Sequence, residues 1–170
     1  MADLRSAPLP EVSEEDHVKG PDDAPLVIVY ADFECPYCAA AADRLAGARL
    51  RLAFRHFPVR SSHPRAWAAA CAAEAAGLQG RFWEMHDLLF ADQGRLEDPH
   101  LWARARTLGL DLDRFETDRR AAAVEARVRR DFEAGVRGGI VTTPTLIAGD
   151  RRHAGRIDAQ VVEELSSGRR

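Results

Sequence analysis

The 170-residue sequence predicts one α/β domain, on three observations. A strand–helix–strand run fills about thirty residues near the N-terminus. A long helical section punctuated by glycines follows, and strand patterning with turn residues returns near the C-terminus. A chain of this length buries about two-thirds of the surface it exposes when unfolded, so it needs no disulfide or metal staple. The 24 Lys plus Arg against 27 Asp plus Glu leave a net charge of −3, which argues against a general nucleic-acid binder. Lys19 is the only lysine, and acidic residues are interspersed among the 23 arginines, so no basic face stands out.

Residues 1–15 carry Pro8, Pro10, Glu11, Glu14 and Glu15 and read as a flexible N-terminal tail before a domain over 16–170. Gly20-Pro21-Asp22-Asp23-Ala24-Pro25 is a cluster of turn formers, and the β-branched run from Leu26 to about Asp32 is a buried strand. From Pro36 the sequence turns to Ala39-Ala40-Ala41-Ala42 and on to Ala46, a helix that Gly47 can stop. Leu50, Leu52, Phe54 and His56 then alternate with Arg51, Ala53, Arg55 and Phe57 in a second strand, ended by Pro58. Strand, helix and strand make a βαβ unit with a right-handed crossover.

Helical pieces follow at Pro64 to Ala76, Arg81 to Phe90, Pro99 to Leu108 and Leu112 to about Glu133, separated by Gly77, Gly80, Gly94 and Gly109. In the second piece Phe82, Met85, Leu88 and Leu89 form an apolar stripe, whereas Trp83, His86, Asp87 and Phe90 do not. Thr145 to Ala148, a turn at Gly149-Asp150 and Arg151 to Gly155 read as a hairpin. A last helix runs from Asp158, its N-cap, to about Ser166, with Gly168 beyond its end.

The longest apolar runs, such as Leu26 to Tyr30, fall far short of the roughly 20 residues of a membrane helix, so no membrane insertion is expected. Met1 to Pro10 has neither the basic nor the apolar region of an export signal. The expected compartment is therefore the cytoplasm, or an extracytoplasmic space if the N-terminus is a processed one.

The chemistry concentrates at Cys35-Pro36-Tyr37-Cys38, where the first strand ends and the first helix begins. Proline suits the first helical position because its missing N–H has no intrahelical partner there. Cys35 then occupies the cap, with its sulfur facing the free N–H groups and positive dipole end of the first turn, which favour a thiolate. In such motifs the thiol pKa falls from about 8.5 to between roughly 3.5 and 7.5. Cys35 is the candidate nucleophile, and Cys38, one turn onward, the candidate resolving thiol. Two cysteines supply half a tetrahedral zinc site, but no second Cys-x-x-Cys or His-x-x-x-His follows, so redox chemistry is favoured over a metal. No cofactor is called for. Thr142-Thr143-Pro144-Thr145 marks a strand entrance, where a proline cannot donate to the ladder. From these residues alone a trans bond is the better reading, since cis bonds are about 5–6% of X–Pro bonds.

The order of strand, Cys-Pro-x-Cys helix, strand, helical insertion and Thr-Pro before a hairpin resembles the DsbA-like thiol:disulfide oxidoreductases of the thioredoxin superfamily. The resemblance runs from about Asp16 to Leu165 and includes His56-Phe57-Pro58, His63-Pro64, Ala66 to Ala76 and Phe82-Trp83-Glu84-Met85-His86. It implies a thioredoxin-like α/β fold, a central mixed sheet flanked by helices, with a helical subdomain inserted at about 63–136. It implies a cis Thr143-Pro144 bond facing Cys35 and Cys38, with Thr143 and Pro144 binding an extended substrate segment. The implied activity is disulfide exchange with protein or low-molecular-weight thiol substrates, supported by a redox partner protein or glutathione.

The sequence also departs from the family. Val29 stands where thioredoxin and oxidase members place a buried carboxylate, Thr142 where glycine is common, and Tyr37 where the strong oxidase has histidine. Asp32 and Glu34 are the nearest acids, and their charges oppose a very low Cys35 pKa. The expected potential is intermediate, roughly −200 mV rather than about −120 mV. Pro36-Tyr37 matches glutaredoxins, which keeps a glutathione-dependent reductase open, and the helical insertion keeps open a non-catalytic binding or chaperone module latched by the cysteines.

Cys71, inside an alanine-rich run, reads as a buried inert thiol, with a regulatory disulfide as the alternative. His56 and His63 read as structural, with electrostatic tuning of Cys35 as the alternative. Trp67, Trp83 and Trp102 read as packing anchors of the bundle. Phe33 is expected beneath the active-site helix, and Tyr30 and Tyr37 at the border of a substrate groove.

Overall fold

In the computed structural model, which describes residues 7–168, five strands form one sheet in the order β1-β3-β2-β4-β5. They are β1 (His17–Lys19), β2 (Leu26–Ala31), β3 (Arg51–His56), β4 (Thr145–Ala148) and β5 (Arg151–Ala154). β2 and β3 are parallel, with Val27 opposite Leu52 and Val29 opposite Phe54. The other pairings are antiparallel, so the sheet is mixed. The crossover between β2 and β3 is α1 (Pro36–Ala46), with Cys35 as N-cap, Pro36 at its first turn and Gly47 as C-cap. Between β3 and β4 lie α2 (Ala66–Gly77), α3 (Phe82–Ala91), α4 (Asp98–Thr107), α5 (Leu112–Asp118) and α6 (Ala122–Arg137), and α7 (Ala159–Ser166) closes the chain. This is an α/β fold of thioredoxin type with a helical insertion.

Two elements differ from the sequence-based expectation. The helix expected over Leu112 to about Glu133 is two helices, α5 and α6, broken at Arg119-Arg120-Ala121. Phe115 of α5 and Val124 of α6 are both buried, and Arg119 turns its guanidinium onto Glu116 and Asp98 at the break. β1 was not expected: at three residues it is too short for a period to show, and its pairing with β3, far along the chain, makes it a strand.

β3 buries both faces, as the interior of a partly parallel sheet requires. One face carries Val27, Val29, Leu52 and Phe54 against α1, α2 and α3. The other carries Tyr30, with Phe57 and Ile140, and is joined by Leu9, Ile28, Phe132 and Ile147. Tyr30 therefore lies in this second core and not at a groove border, its hydroxyl accepting from Arg55 at 3.2 Å. Residues 7–15 of the expected tail form no helix or strand and lie against the domain. The Ala7 N–H donates to Arg137 O at 2.9 Å, and Arg55 donates to Pro10 O and Glu11 O. Residues 1–6 lie outside the described residues. No described helix is long and apolar enough to cross a membrane.

Candidate active site

β2 runs out at Ala31, and the turn Asp32-Phe33-Glu34 delivers Cys35 to the start of α1. The Cys35 N–H donates to Asp32 O at 3.2 Å, and Cys35 O accepts from Cys38 and Ala39, opening the helix. Phe33 is buried beneath this turn, stacked on Phe54 at 5.3 Å and tilted against Phe90 at 4.8 Å. Gln93, in the loop after α3, donates its amide to both Phe33 O and Cys35 O at 2.8 Å, so the insertion fixes the backbone on which Cys35 sits.

The cis Thr143–Pro144 peptide lies directly across from the helix start. The Cys35 thiol reaches Thr143 O at 3.5 Å, which brings Cys35, Cys38, Thr143 and Pro144 together although 108 residues separate Cys35 from Thr143. Thr145 holds the loop by donating its hydroxyl to Thr142 O at 2.7 Å. Pro36 and Tyr37 lie at the surface of the first turn, with Tyr37 58% exposed. Val141, just before the loop, is 90% exposed.

Cys35 and Cys38 differ electrostatically, and each difference has a cause. A hydrogen bond from the Cys38 thiol lowers the Cys35 pKa to about 6, against the opposing effect of burial. Thr143 and the N–H groups of Cys38 and Tyr37 assist. Cys35 is thus a thiolate at neutral pH without any bond of the capping type from its side chain. Burial and the neighbouring Cys35 push the Cys38 thiol far above the ordinary range, although the Asp32 N–H donates to its sulfur at 3.4 Å.

Sequence reasoning set the charges of Asp32 and Glu34 against Cys35, and the structure gives those charges partners. The buried Asp32 carboxylate accepts from the Glu34 N–H at 2.7 Å, the Val59 N–H at 2.7 Å and His63 Nδ1 at 2.8 Å. Glu34 accepts from the Arg65 N–H at 2.6 Å, ahead of α2. His56 points elsewhere: its Nε2 and that of His17 both donate to Glu74 Oε1, at 2.7 and 2.8 Å. Burial pushes the Glu74 carboxyl up, but these two bonds outweigh it and hold the group well below the usual carboxylate range. Trp67 and Trp83 are half-buried under arginine or lysine, whereas Trp102 is 40% exposed and donates to Glu116 at 2.7 Å. Cys71 is buried, and burial first, then the charges of Glu125 and Glu74, push its thiol up to about 12. No group of three or more metal-ligating side chains occurs among the described residues. Gln93 was missed, and Asp32 and His63, each weighed for its effect on Cys35, were not foreseen as partners of one another, because these contacts join residues 31 to 60 positions apart.

Comparison with known proteins gives three findings. The family model described as Thioredoxin matches residues 12–166. The Na(+)/H(+) antiporter NhaA 1 of Salinispora arenicola is 43% identical over 168 residues, which cover 94% of this chain and 25% of that protein. The chain spans about a quarter of the length of the curated relatives it matches. Among solved structures, a thioredoxin-like oxidoreductase from Silicibacter pomeroyi superposes with a TM-score of 0.81 at 24% identity, covering 91% of this chain and 92% of the other. The thiol-disulfide exchange protein alpha-DsbA2 from Wolbachia pipientis gives 0.78 at 21% identity, covering 90% and 88%.

Proposed function

This chain belongs to the thioredoxin family and has the fold of its DsbA-like members, and from that premise we propose that it is a thiol:disulfide oxidoreductase acting through Cys35 and Cys38. The observation that carries this reading is the asymmetric pair, one thiol ionised near neutrality and the other buried behind it, facing a cis-proline loop. The Cys35 thiolate attacks a substrate disulfide and forms a mixed disulfide. Cys38 then displaces the substrate sulfur, leaving Cys35 and Cys38 joined and the substrate reduced; the reverse sequence oxidises a dithiol. Thr143 and Pro144 border the sulfur and hold an extended substrate segment by backbone pairing. The antiporter name belongs to chains about four times as long, and the 168 matched residues correspond to the domain described here.

The test is turnover of a disulfide-bonded protein such as insulin with a small thiol as reductant. Cys35→Ser should abolish turnover, and Cys38→Ser should trap a mixed disulfide on Cys35 that survives denaturation and is cleaved by excess dithiol. Turnover that persists when both cysteines are serine would overturn the assignment. Pro36-Tyr37 supports glutathione as the small thiol, and a glutathionylated peptide as substrate tests that choice in the same assay.

A further inference from the structure

Resolution requires Cys38 to lose a proton inside the protein, where its thiol is held strongly in the protonated form. A cavity of about 20 Å³ lies beside it, between the sheet face, α1 and α3, with walls that include Lys19, Cys38, Leu45, Phe54, Trp83 and His86. This volume suffices for one water molecule, which needs polar partners. Of the side chains around it only Lys19 and His86 carry a nitrogen that can exchange a proton. Lys19 is already engaged elsewhere, its Nζ 4.4 Å above the Trp83 ring and 3.6 Å from Asp87 Oδ1.

His86 is suited to the task by its partners. Its Nδ1 donates to Asp87 Oδ1 at 2.7 Å, which places the ring proton on Nδ1 and leaves the lone pair on Nε2. The ring is packed among Phe33, Phe54, Trp83 and Phe90, at centroid distances from 4.9 to 5.8 Å. Burial lowers its pKa against the opposing Asp87 carboxylate, so the imidazole is neutral at physiological pH. Lys19 from β1 and His56 from β3 add to that lowering. Facing Cys38 are Cys35, the Asp32 N–H and Thr143.

We propose that His86 accepts the Cys38 proton during resolution, through a water molecule in this cavity, and returns it to solvent on the Asp87 side. The proposal rests on the disulfide-exchange reading above. As the Cys38 sulfur bonds to the Cys35 sulfur, the bond from Cys35 to the substrate sulfur breaks and its electron pair leaves on the substrate as a thiolate. The Cys38 proton passes through the water to His86 Nε2, so charge and electrons balance. His86 touches neither sulfur of the mixed disulfide and is a positioning residue.

The reaction of the reduced protein with dithiobis(nitrobenzoate) separates the two steps, since each releases one coloured thiolate. The first release depends on reagent concentration and reports attack by Cys35; the second does not and reports resolution by Cys38. His86→Phe and His86→Gln should keep the first release and slow the second by roughly 100-fold at neutral pH, the low end of what a positioned general base contributes. In both, the second rate should climb with hydroxide in place of a plateau. Asp87→Asn, at an exposed position, should shift the low-pH inflection of the second phase downward, because the carboxylate raises the histidine's affinity for the proton. A second phase of wild-type rate and pH profile in the His86 variants overturns the proposal. Should those variants also lose the first release, an unmoved inflection in Asp87→Asn overturns it. Absence of any second release from the wild type would instead overturn the disulfide-exchange reading itself.

Discussion

At Cys35 the hydrogen bond from Cys38 is the largest influence on ionisation, ahead of burial, which opposes it. Absorbance of the thiolate near 240 nm should titrate with a midpoint of about 6, and Cys38→Ala should move it upward. The linkage to stability has a definite sign. The folded thiol ionises near 6 and the unfolded one near 9, so its contribution is fully present above about pH 9 and is lost as pH falls through 6. Between these values the reduced protein should gain unfolding temperature relative to Cys35→Ser, and the oxidised protein, lacking the thiol, should not. A flat difference would contradict the depressed pKa. Cys35 and Cys38 were legible because Pro36 and the helix start are local. Tyr30 was misplaced because its partners, Arg55 and Phe57, are on a neighbouring strand and beyond it, and only the register decides which face it takes.

At the scale of elements, pattern sufficed where an element buries one face or carries its own cap, as Asp158 does by accepting from the Val161 N–H at 3.0 Å. It failed where an element exists through its partners. β1 is a strand because β3 pairs with it, and the α5–α6 break follows the packing of Phe115 and Val124. α3 buries His86 and Phe90 beside Phe82, Met85 and Leu89, a wider face than one apolar stripe, because the sheet and the insertion both close on it. α6 packs tightly on the second core at Gly135, where an added Cβ would meet Phe57 ring carbons at 2.9 Å and the Tyr30 ring at 3.0 Å. Gly135→Ala gains about 1 kcal/mol of helix propensity but forces two locked rings apart, at about 1–3 kcal/mol. A net loss of up to about 2 kcal/mol is expected in denaturant unfolding; a more stable protein would show that the rings move freely.

For the whole molecule, the insertion is part of the candidate site's foundation. Gln93 fixes the backbone around Cys35, Arg65 meets Glu34, and His63 meets Asp32, so two loops, the one before α2 and the one after α3, hold the turn that β2 delivers. The fold class and the βαβ unit were readable along the chain, whereas these cross-links depend on residues some 30 to 60 positions apart. The same cross-links supply partners for the acids beside Cys35, whose pKa of about 6, set first by the Cys38 hydrogen bond, lies between the values of about 3.5 and 7 found in a strong oxidase and a reductase. The most direct test of a dithiol of intermediate strength is the redox equilibrium in glutathione buffers, read by thiol trapping and mass. The expected result is a single Cys35–Cys38 disulfide with a potential near roughly −200 mV and Cys71 still reduced. A potential near about −120 mV, or no disulfide between these cysteines at any ratio, would contradict it.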